Sequence, residues 1–569
     1  MTIYATLLSQ GYFPKELPPA FFTEDFSNFA RTRAGRAALV AYRPQDDFTE
    51  CGSYRLALSG QNGVANRPLH IPHPHAYAAL ARLVAQHFRR LLKKAGASPI
   101  SRSRPVFQTG QQRAIRTLFR PSSLSRARAE SRAGATHLLK ADVSQFYPSL
   151  YTHAIGWAID PKLRQRAHWK NTRLIGWKVD QRLMRLQGKV SQGIPIGNDV
   201  SFLLAELVLS QVDKGLGLPK GNGYRWYDDY EIACSSRRDA EEVLGRLTAL
   251  LDSFKLRLNP LKTQIVDLPL PAGETWHEQL HALSSRAVAN TSGMVAYFDR
   301  AFELRQRYPE QPVLTYAIGA LFALPGPAPV LQRVAESCVS QALLSEPGCA
   351  QKAFALLTFW ELNGSSFDRS VFVRTIEKLL EQYASRGFTS DATWALAFVI
   401  QHMLILSRAA GRALSRLTED PLVVQALHAH RLNLLPAFSV AAIERALKDE
   451  HCDGPHWLLL YEGTRQGHFS PVARAVRSNA LMSGLLAASV AFYREQMPSY
   501  AMLLHPGGAP DWVVRAWMEG IAKEQAPPAP QSLGDDLTEL ATDETLMDLV
   551  RKLLDKASKR IRASPEPYE

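Results

Sequence analysis

The 569-residue sequence predicts an α+β chain in two parts, a mixed helix-and-strand N-terminal half followed by an all-α half of stacked helices. Three observations carry that reading. Up to about residue 270, short aromatic and β-branched runs bounded by turn residues alternate with helical patterns. Past Leu268-Pro269-Leu270-Pro271, helical segments of about 12 to 20 residues alternate with short Pro/Gly or polar breaks. A chain of 569 residues also exceeds what one hydrophobic core sustains, so two or more domains are required.

Charge divides at the same place. Residues 1–270 hold 39 Lys/Arg and 21 Asp/Glu, a net +18, whereas the remainder holds 28 and 32, a net −4. Residues 51–129 contain no Asp or Glu. The basic half is the one suited to a polyanion and the other reads as a scaffold. No apolar uncharged run reaches about 18 residues and the N-terminus has no basic, apolar, cleavable pattern, so neither a membrane span nor a signal peptide is expected, and the expected compartment is cytoplasmic. Cys51, Cys234, Cys338, Cys349 and Cys452 form no C-x-x-C pair, which argues against a zinc ribbon or a disulfide framework.

Along the chain, Gly11-Tyr12-Phe13-Pro14-Lys15-Glu16-Leu17-Pro18-Pro19-Ala20-Phe21-Phe22 is too rich in proline for a long helix and too apolar for a disordered tail, which predicts an extended, packed strap. Tyr77, Leu80, Leu83, Val84, Phe88, Leu91 and Leu92 recur at helical spacing, with Arg82, Arg89, Arg90, Lys93 and Lys94 on the other sides; this predicts one basic amphipathic helix over 76–95. The preceding His70-Ile71-Pro72-His73-Pro74-His75 has two prolines and reads as a loop rather than a metal site. Arg102, Arg104, Arg113, Arg116, Arg120, Arg126, Arg128 and Arg132 then follow closely. Guanidinium groups suit bidentate phosphate contact, though spacing does not separate phosphate-facing members from solvated ones.

From His137 to Leu150 an apolar strand delivers Asp142 at its end, and a helix is expected from about Pro148. A strand-end acid before a turn is placed to ligate a metal, or to cap a helix. Residues 154–190 read as amphipathic helix with Lys162, Arg164, Arg166, Lys170, Arg173 and Lys178 on basic faces. At Ser191-Gln192-Gly193-Ile194-Pro195-Ile196-Gly197-Asn198 two glycines and a proline precede a long helix. Such a loop lets backbone approach a flat ligand such as a nucleobase pair, and also describes a plain loop with a helix cap.

Tyr224-Arg225-Trp226-Tyr227-Asp228-Asp229-Tyr230-Glu231-Ile232 places two carboxylates inside an aromatic run, which predicts a hairpin whose tip carries the acids. Adjacent like charges in a partly buried place repel unless a divalent cation or a cationic ligand neutralises them; a Mg2+ site is one reading and a solvated turn the other. A helix over 239–254 leads to Leu256-Arg257-Leu258-Asn259-Pro260-Leu261-Lys262, a tight turn placing Lys262 just before a strand. In the second half, breaks such as Glu346-Pro347-Gly348 and Asn363-Gly364 separate apolar helix pairs, which to about residue 520 read as an irregular α-solenoid or as generic all-α packing. Ala526-Pro527-Pro528-Ala529-Pro530 reads as a linker, and Leu546 to Ile561 as a terminal helix.

Together these pieces resemble the palm of reverse transcriptases. Asp142 with Phe146-Tyr147 matches the first palm motif, Gln192-Gly193-Ile194-Pro195-Ile196-Gly197 the second, Trp226-Tyr227-Asp228-Asp229 the Y-x-D-D third, and Leu258-Asn259-Pro260-Leu261-Lys262-Thr263 the fourth. The N-terminal strap and Phe146-Tyr147-Pro148-Ser149-Leu150-Tyr151-Thr152-His153 are similar to those of prokaryotic abortive-infection and defence-associated reverse transcriptases, several of which carry a C-terminal helical-repeat domain.

The resemblance implies right-hand polymerase fingers and palm followed by an all-α HEAT-like helical repeat domain. The expected division is a strap and fingers over 1–130, the palm over 131–270, a helical repeat domain in place of the thumb over 271–525, and a linker and C-terminal helix over 526–569. Asp142 and Asp228 would hold two Mg2+ ions, or Mn2+ in their place, with Asp229 alongside and the Val143 carbonyl as a further ligand. Tyr147 matches the steric gate that favours dNTPs, Gln192 and Gly193 would pack near the nascent base pair, Lys262 would approach the triphosphate, and Arg113 and Arg116 fall in the fingers' phosphate grip. The implied activity is an RNA-directed DNA polymerase acting in antiphage defence, a homo-oligomer with dNTPs, a DNA product and, when templated, an RNA as partners, and without a membrane. Untemplated, protein-primed synthesis and copying of a noncoding RNA, as in retron or group II-like enzymes, both stay open; a catalytically inactive nucleic-acid-binding scaffold is the reading from a different class. Trp226 stands where the family has Tyr, which puts the packing of the primer end in question.

Overall fold

The computed structural model describes residues 2–495 apart from 61–62, 109–112, 122, 220, 325 and 384–386, so the expected linker and terminal helix over 526–569 lie outside the described residues. Strand β1 (Cys51–Gly60) pairs antiparallel with β2 (Gly63–Pro72), and β3 (Pro105–Phe107) with β4 (Ile115–Thr117). Strands β5 (His137–Asp142), β6 (Gly223–Trp226), β7 (Asp229–Cys234) and β8 (Gln264–Asp267) form a four-stranded antiparallel sheet in the order β6-β7-β5-β8. Strand β5 is central, and Leu138, Leu139 and Ala141 give it the buried aliphatic content that a covered strand needs.

Two helices cover this sheet. Asp199–Leu216 is buried almost all round; Asn198 caps its start by accepting from the Ser201 amide, and Gly217, left-handed at φ 65°, ends it. Arg237–Ser253 packs on β5, β7 and β8 through Ala240, Val243, Leu247 and Leu251, spaced for one apolar face.

Several local expectations are corrected. The basic helix over 76–95 is two helices, Pro74–Gln86 and Phe88–Ala95, broken at His87. His70 to His75 is no loop: β2 runs to Pro72, and Pro74 opens the next helix, where its fixed φ is favourable. Residues 154–190 divide into helix Thr152–Ile159, a short 3-10 turn Pro161–Arg164, and helix Ile175–Leu186. The N-terminal strap is preceded by helix Ile3–Ser9.

The strap buttresses the loop before helix Asp199–Leu216. The Asp199 amide donates to the Gly11 carbonyl at 2.8 Å, and Tyr12 stacks on Tyr77 at 4.2 Å between ring centroids. Gly197 has φ 115°, and a Cβ there would lie 2.7 Å from Pro14 Cγ. Gly197→Val is therefore expected to destabilise by about 1–3 kcal/mol, read as a lower denaturant midpoint at unchanged slope.

From β8 to residue 495 the elements are all helices, most of them in two stacked rows. One row runs Thr275–Ala287, Val313–Ala320, Ala350–Leu362, Thr389–Gln401, Asp420–Arg431 and Trp457–Arg465; the other runs Thr291–Arg307, Pro329–Ser345, Arg369–Tyr383 and Arg408–Leu414. The first row is the interior one, with Phe354, Phe359, Trp360, Phe398 and Trp457 buried. It returns to the N-terminal half: the Trp394 indole donates to the Glu16 carbonyl at 2.9 Å, the Ala57 amide to Ser390 Oγ at 3.0 Å, and the Trp457 indole to the Ile71 carbonyl at 3.0 Å. The helical half thus leaves from β8 and ends against the β1–β2 hairpin and the strap, bridging the two ends of the N-terminal half. No helix among the described residues is long and apolar enough to cross a membrane.

Candidate active site

Strand register brings the separated acids together. Asp142, the last residue of β5, pairs with Asp229, the first of β7. Trp226 pairs with Asp229 across β6 and β7, so Tyr227 and Asp228 form a two-residue turn, with Tyr227 left-handed at φ 53°. Asp228 sits in that turn while Asp229 opens the returning strand. The Val143 amide donates to the Asp228 carbonyl at 3.2 Å, tying the turn to the end of β5. From the other side, the Asn259 amide donates to the Asp142 carbonyl at 2.8 Å, and the turn beyond it carries Lys262, whose Nζ lies 3.1 Å from Asp142 Oδ2. Lys262 is 60% exposed along its side chain, yet its ammonium faces the acids.

Negative charge is crowded here. Burial first, then the Asp228 and Asp142 carboxylates, push the Asp229 carboxyl up to about 7. Burial and Asp142 raise Asp228 as well, against the pull of Arg67 and Lys262. Burial lowers the Lys262 ammonium, but its hydrogen bond to Asp142 and the nearby acids outweigh that and raise it. Among the described residues no closed cluster of three or more His, Cys, Asp or Glu ligands is formed. Three carboxylates and the adjacent Val143 carbonyl nevertheless make a hard oxygen donor set, and added positive charge would relieve the repulsion between the partly buried carboxyls, so the residues fit a divalent cation.

A pH dependence follows. Between the unfolded value near 4 and the folded value of about 7, the folded state holds a proton at Asp229 that the unfolded state has lost, so its contribution to stability falls as pH rises through that window. Asp229→Asn should gain thermal stability over the parent on going from pH 4 to pH 8, by on the order of 1 kcal/mol after allowing for solvent screening of a partly exposed carboxyl, and should show no gain near pH 4. Differential scanning calorimetry across that range checks it.

Beneath the turn lies a buried ion cage. Arg225, 0% exposed, places Nε 2.9 Å and Nη2 2.7 Å from Asp213 Oδ2, and Nη1 3.0 Å from Glu206 Oε1. Its Nη1 also donates to the Tyr227 carbonyl at 2.6 Å, and the Tyr227 amide donates to Ser103 Oγ at 2.9 Å, itself a donor to Glu206 at 2.7 Å. The left-handed residue that aims Asp228 is therefore held at both its amide and its carbonyl.

The loop before the long helix packs beside the turn. The Gly193 amide donates to the Leu150 carbonyl at 3.1 Å, the Ile194 amide to the Tyr147 carbonyl at 3.1 Å, and Gln192 bridges Tyr151. Gly193 is left-handed at φ 81°, and a Cβ there would lie 3.1 Å from the Pro148 carbonyl. Burial and the charges of Glu206 and Asp228 hold the half-buried Tyr147 phenol well above its ordinary value, so it stays neutral beside the acids. A cavity of about 240 Å³ opens at Asp142, Asp229 and Lys262, walled by Trp226, Leu124 and Arg128.

Residues 66–286 match the family model of the reverse transcriptase (RNA-dependent DNA polymerase). The chain carries a reverse transcriptase domain. Its class of activity is RNA-directed DNA polymerisation, its substrates are dNTPs and nucleic acid, and domains of this kind use divalent metal ions. Asp142, Val143, Asp228, Asp229, Tyr147, Gln192, Gly193, Lys262, Arg113 and Arg116 all fall within the matched segment, and the helical rows beyond residue 286 fall outside it. No curated protein matches the sequence. Among solved structures, apo telomerase from Candida tropicalis aligns with 67% of this chain and 70% of its own at 12% identity and a TM-score of 0.30, too low a similarity to place any element.

Within the reverse transcriptase domain the arginines divide. Arg113 does not face the acids: its Nε lies 2.9 Å from Asp199 Oδ1, and Nη1 and Nη2 donate to the Phe13 and Gly197 carbonyls at 2.6 and 3.0 Å. It locks the strap to the Gln192–Asn198 loop, which corrects its expected phosphate contact. Arg128 and Arg132 clamp Glu231 at 3.1 and 2.7 Å. Arg116 on β4 is exposed. Arg67, an exposed residue of β2, was not singled out by sequence; its charge acts on both Asp228 and Tyr147. The signal that would have found it is the unbroken acid-free stretch in which it lies.

Proposed function

We propose that this chain is an antiphage, abortive-infection reverse transcriptase-like DNA polymerase that adds dNTPs to a primer hydroxyl at Asp142, Asp228 and Asp229. The observation carrying the chemistry is the β5–β7 register that sets Asp142 against Asp229 with Asp228 in the adjoining turn and Lys262 on Asp142. Asp142, Asp228 and the Val143 carbonyl would hold two Mg2+ ions, which supply activation of the primer hydroxyl and neutralisation of the triphosphate and departing pyrophosphate. Lys262 is placed to exchange its Asp142 contact for a triphosphate oxygen, and Arg116 and Arg67 are the exposed guanidinium groups for the phosphates. Tyr147 is the proposed gate against a ribose 2′-hydroxyl, and the stitched Gln192-Gly193 backbone the floor for the new base pair.

The defence assignment is supported by the strap, which docks on the Gln192–Asn198 loop, and by helical rows following β8 where a thumb would begin. On this reading residues 1–130 are strap and fingers, 131–270 the palm and 271–525 a HEAT-like repeat domain; the protein is cytoplasmic and homo-oligomeric. Two modes of synthesis fit this site, copying of a noncoding RNA and untemplated, protein-primed addition.

Purified full-length protein should make DNA from dNTPs and Mg2+. Incubations without template, with an oligonucleotide template and with co-expressed RNA separate the two modes, and sequencing the DNA identifies any template. Equal inertness of the parent and of Asp228→Ala in all three would leave the scaffold reading. Tyr147→Ala should raise the relative use of rNTPs by on the order of 100-fold, measured as a ratio of kcat/KM values.

A further inference from the structure

Between the strand carrying Asp142 and the Gln192-Gly193 loop lies a surface that the polymerase chemistry does not use. Helices Thr152–Ile159 and Ile175–Leu186 pack backbone against backbone there: a Cβ on Gly176 would lie 2.3 Å from the Gly156 carbonyl, and the Gly176 amide donates to Asp160 Oδ2 at 2.7 Å. His153 Nδ1 and Asp180 Oδ2 join the same helices at 2.6 Å. This close pairing leaves a cavity of about 560 Å³ walled by Trp157, Trp169 and Trp177, within the range of about 300–1,000 Å³ typical of ligand sites.

Three of the ten tryptophans of the chain thus stand round one cavity, and Trp169, 59% exposed, is the one aromatic among the exposed large hydrophobic side chains of the described residues. Cations accompany the rings: Lys170 Nζ lies 4.4 Å from the Trp169 centroid, and the Arg164 guanidinium 5.4 Å from that of Trp157 and 4.5 Å from that of Phe254. Residues 161–190 contain nine Lys/Arg and one acid, Asp180, which pairs through Oδ2 with His153. The exposed Trp169 and the half-buried Trp157 and Trp177, with Arg164 and Lys170 held over ring faces rather than on carboxylates, match stacked bases and a phosphodiester backbone together; an apolar peptide would leave the cations unanswered.

We propose that this tryptophan-lined cavity binds single-stranded nucleic acid, stacking an unpaired base on Trp169 with Arg164 and Lys170 on the flanking phosphates. The cavity is linked to the active site. Tyr151, bridged to Gln192, lies 6.1 Å from Trp157 ring to ring, and helix Thr152–Ile159 spans about 12 Å, so a strand leaving the Gln192-Gly193 loop reaches the tryptophans within a few nucleotides.

The test is fluorescence anisotropy of the full-length protein with one labelled sequence as single-stranded RNA, as single-stranded DNA and as duplex, without dNTPs or divalent metal. Trp169→Ala should weaken single-strand binding about tenfold and duplex binding much less, and Trp169→Phe should restore most of it. Arg164→Ala and Lys170→Ala should each lower the salt slope by roughly 0.7 on a single strand. A loss confined to RNA or to DNA assigns the natural strand, and a loss on both supports the shared site. Unchanged single-strand affinity in Trp169→Ala, or an equal loss on duplex, overturns the proposal. So does a Trp169→Ala protein whose only change is its oligomeric state, which would make the cavity an interface between copies. Because the measurement needs no catalysis, a protein inert in polymerisation but sensitive at Trp169 would remove the polymerase reading and leave this site standing.

Discussion

Asp228→Ala is expected to lose dNTP incorporation by on the order of 10³-fold or more while remaining folded, because the residue removed is a functional charge that the fold does not need. Asp228 holds its turn through backbone, by the hydrogen bond from the Val143 amide to its carbonyl, and that contact survives truncation of the side chain. Its carboxyl is raised by burial and by Asp142, so at neutral pH the ionised group costs the folded state energy. The sign is therefore opposite to that of a structural ion pair: the variant should melt at the same temperature as the parent or slightly above it at pH 7 to 8, with the difference vanishing below pH 4. Divalent cation should shift the parent upward in Tm, by an amount equivalent to about 2.7 kcal/mol at 100-fold excess over Kd, and should shift Asp228→Ala far less. Thermal melts with and without Mg2+, beside an incorporation assay, read both effects. Activity within a few-fold of the parent, or an undiminished Mg2+ shift, would show that Asp228 is not a metal ligand.

The residues of this site differ in how far sequence alone reveals them. Asp142 is legible because a largely apolar run, Leu138-Leu139-Lys140-Ala141, ends on it, and a strand end is where a side chain is both fixed and accessible. Asp228 and Asp229 are legible as a hairpin because aromatics flank them, although the two acids take different positions, one in the turn and one in the strand. Lys262 has no local signal beyond a turn; only pairing of the 257–259 segment with residues 142–144 gives its position meaning. Arg113 has no such local signal, because nothing near it announces Asp199, which lies 86 residues away and reads as a helix-start residue. The β1–β2 hairpin was missed for a related reason. Its burial is supplied by helix Thr389–Gln401 of the distant helical half, so no clean local alternation of apolar and polar residues marks it. His87 broke a helix that periodicity ran straight through, since apolar spacing survives a change of helix axis.

Arg225 is the clearest case of a determinant invisible in sequence, and its replacement carries the largest expected effect on the fold. It reads as one polar residue in a short strand, yet it is wholly buried between Glu206 and Asp213, seven residues apart on one face of helix Asp199–Leu216. Removing the guanidinium leaves two buried carboxylates facing each other, a loss of about 3–5 kcal/mol, which is a large share of the roughly 5–15 kcal/mol that holds a domain folded. Arg225→Ala should therefore accumulate mostly as insoluble protein. Arg225→Lys should rescue little, because one ammonium cannot reproduce a fork that meets Asp213 through Nε and Nη2, Glu206 through Nη1, and the Tyr227 carbonyl through Nη1. Neutralising the whole cage in a Glu206→Gln, Asp213→Asn, Arg225→Met variant should recover most of the stability, since a buried ion cluster replaced as a unit by uncharged groups of similar volume is often neutral. It should not recover activity. The Tyr227 carbonyl would still lack its donor, and the left-handed residue that aims Asp228 would be held at its amide alone. Chemical denaturation and dNTP incorporation measured on the same preparations separate the two effects: a variant restored in both would mean that Arg225 stabilises the fold without positioning the catalytic turn, whereas stability regained with incorporation still depressed assigns it both tasks.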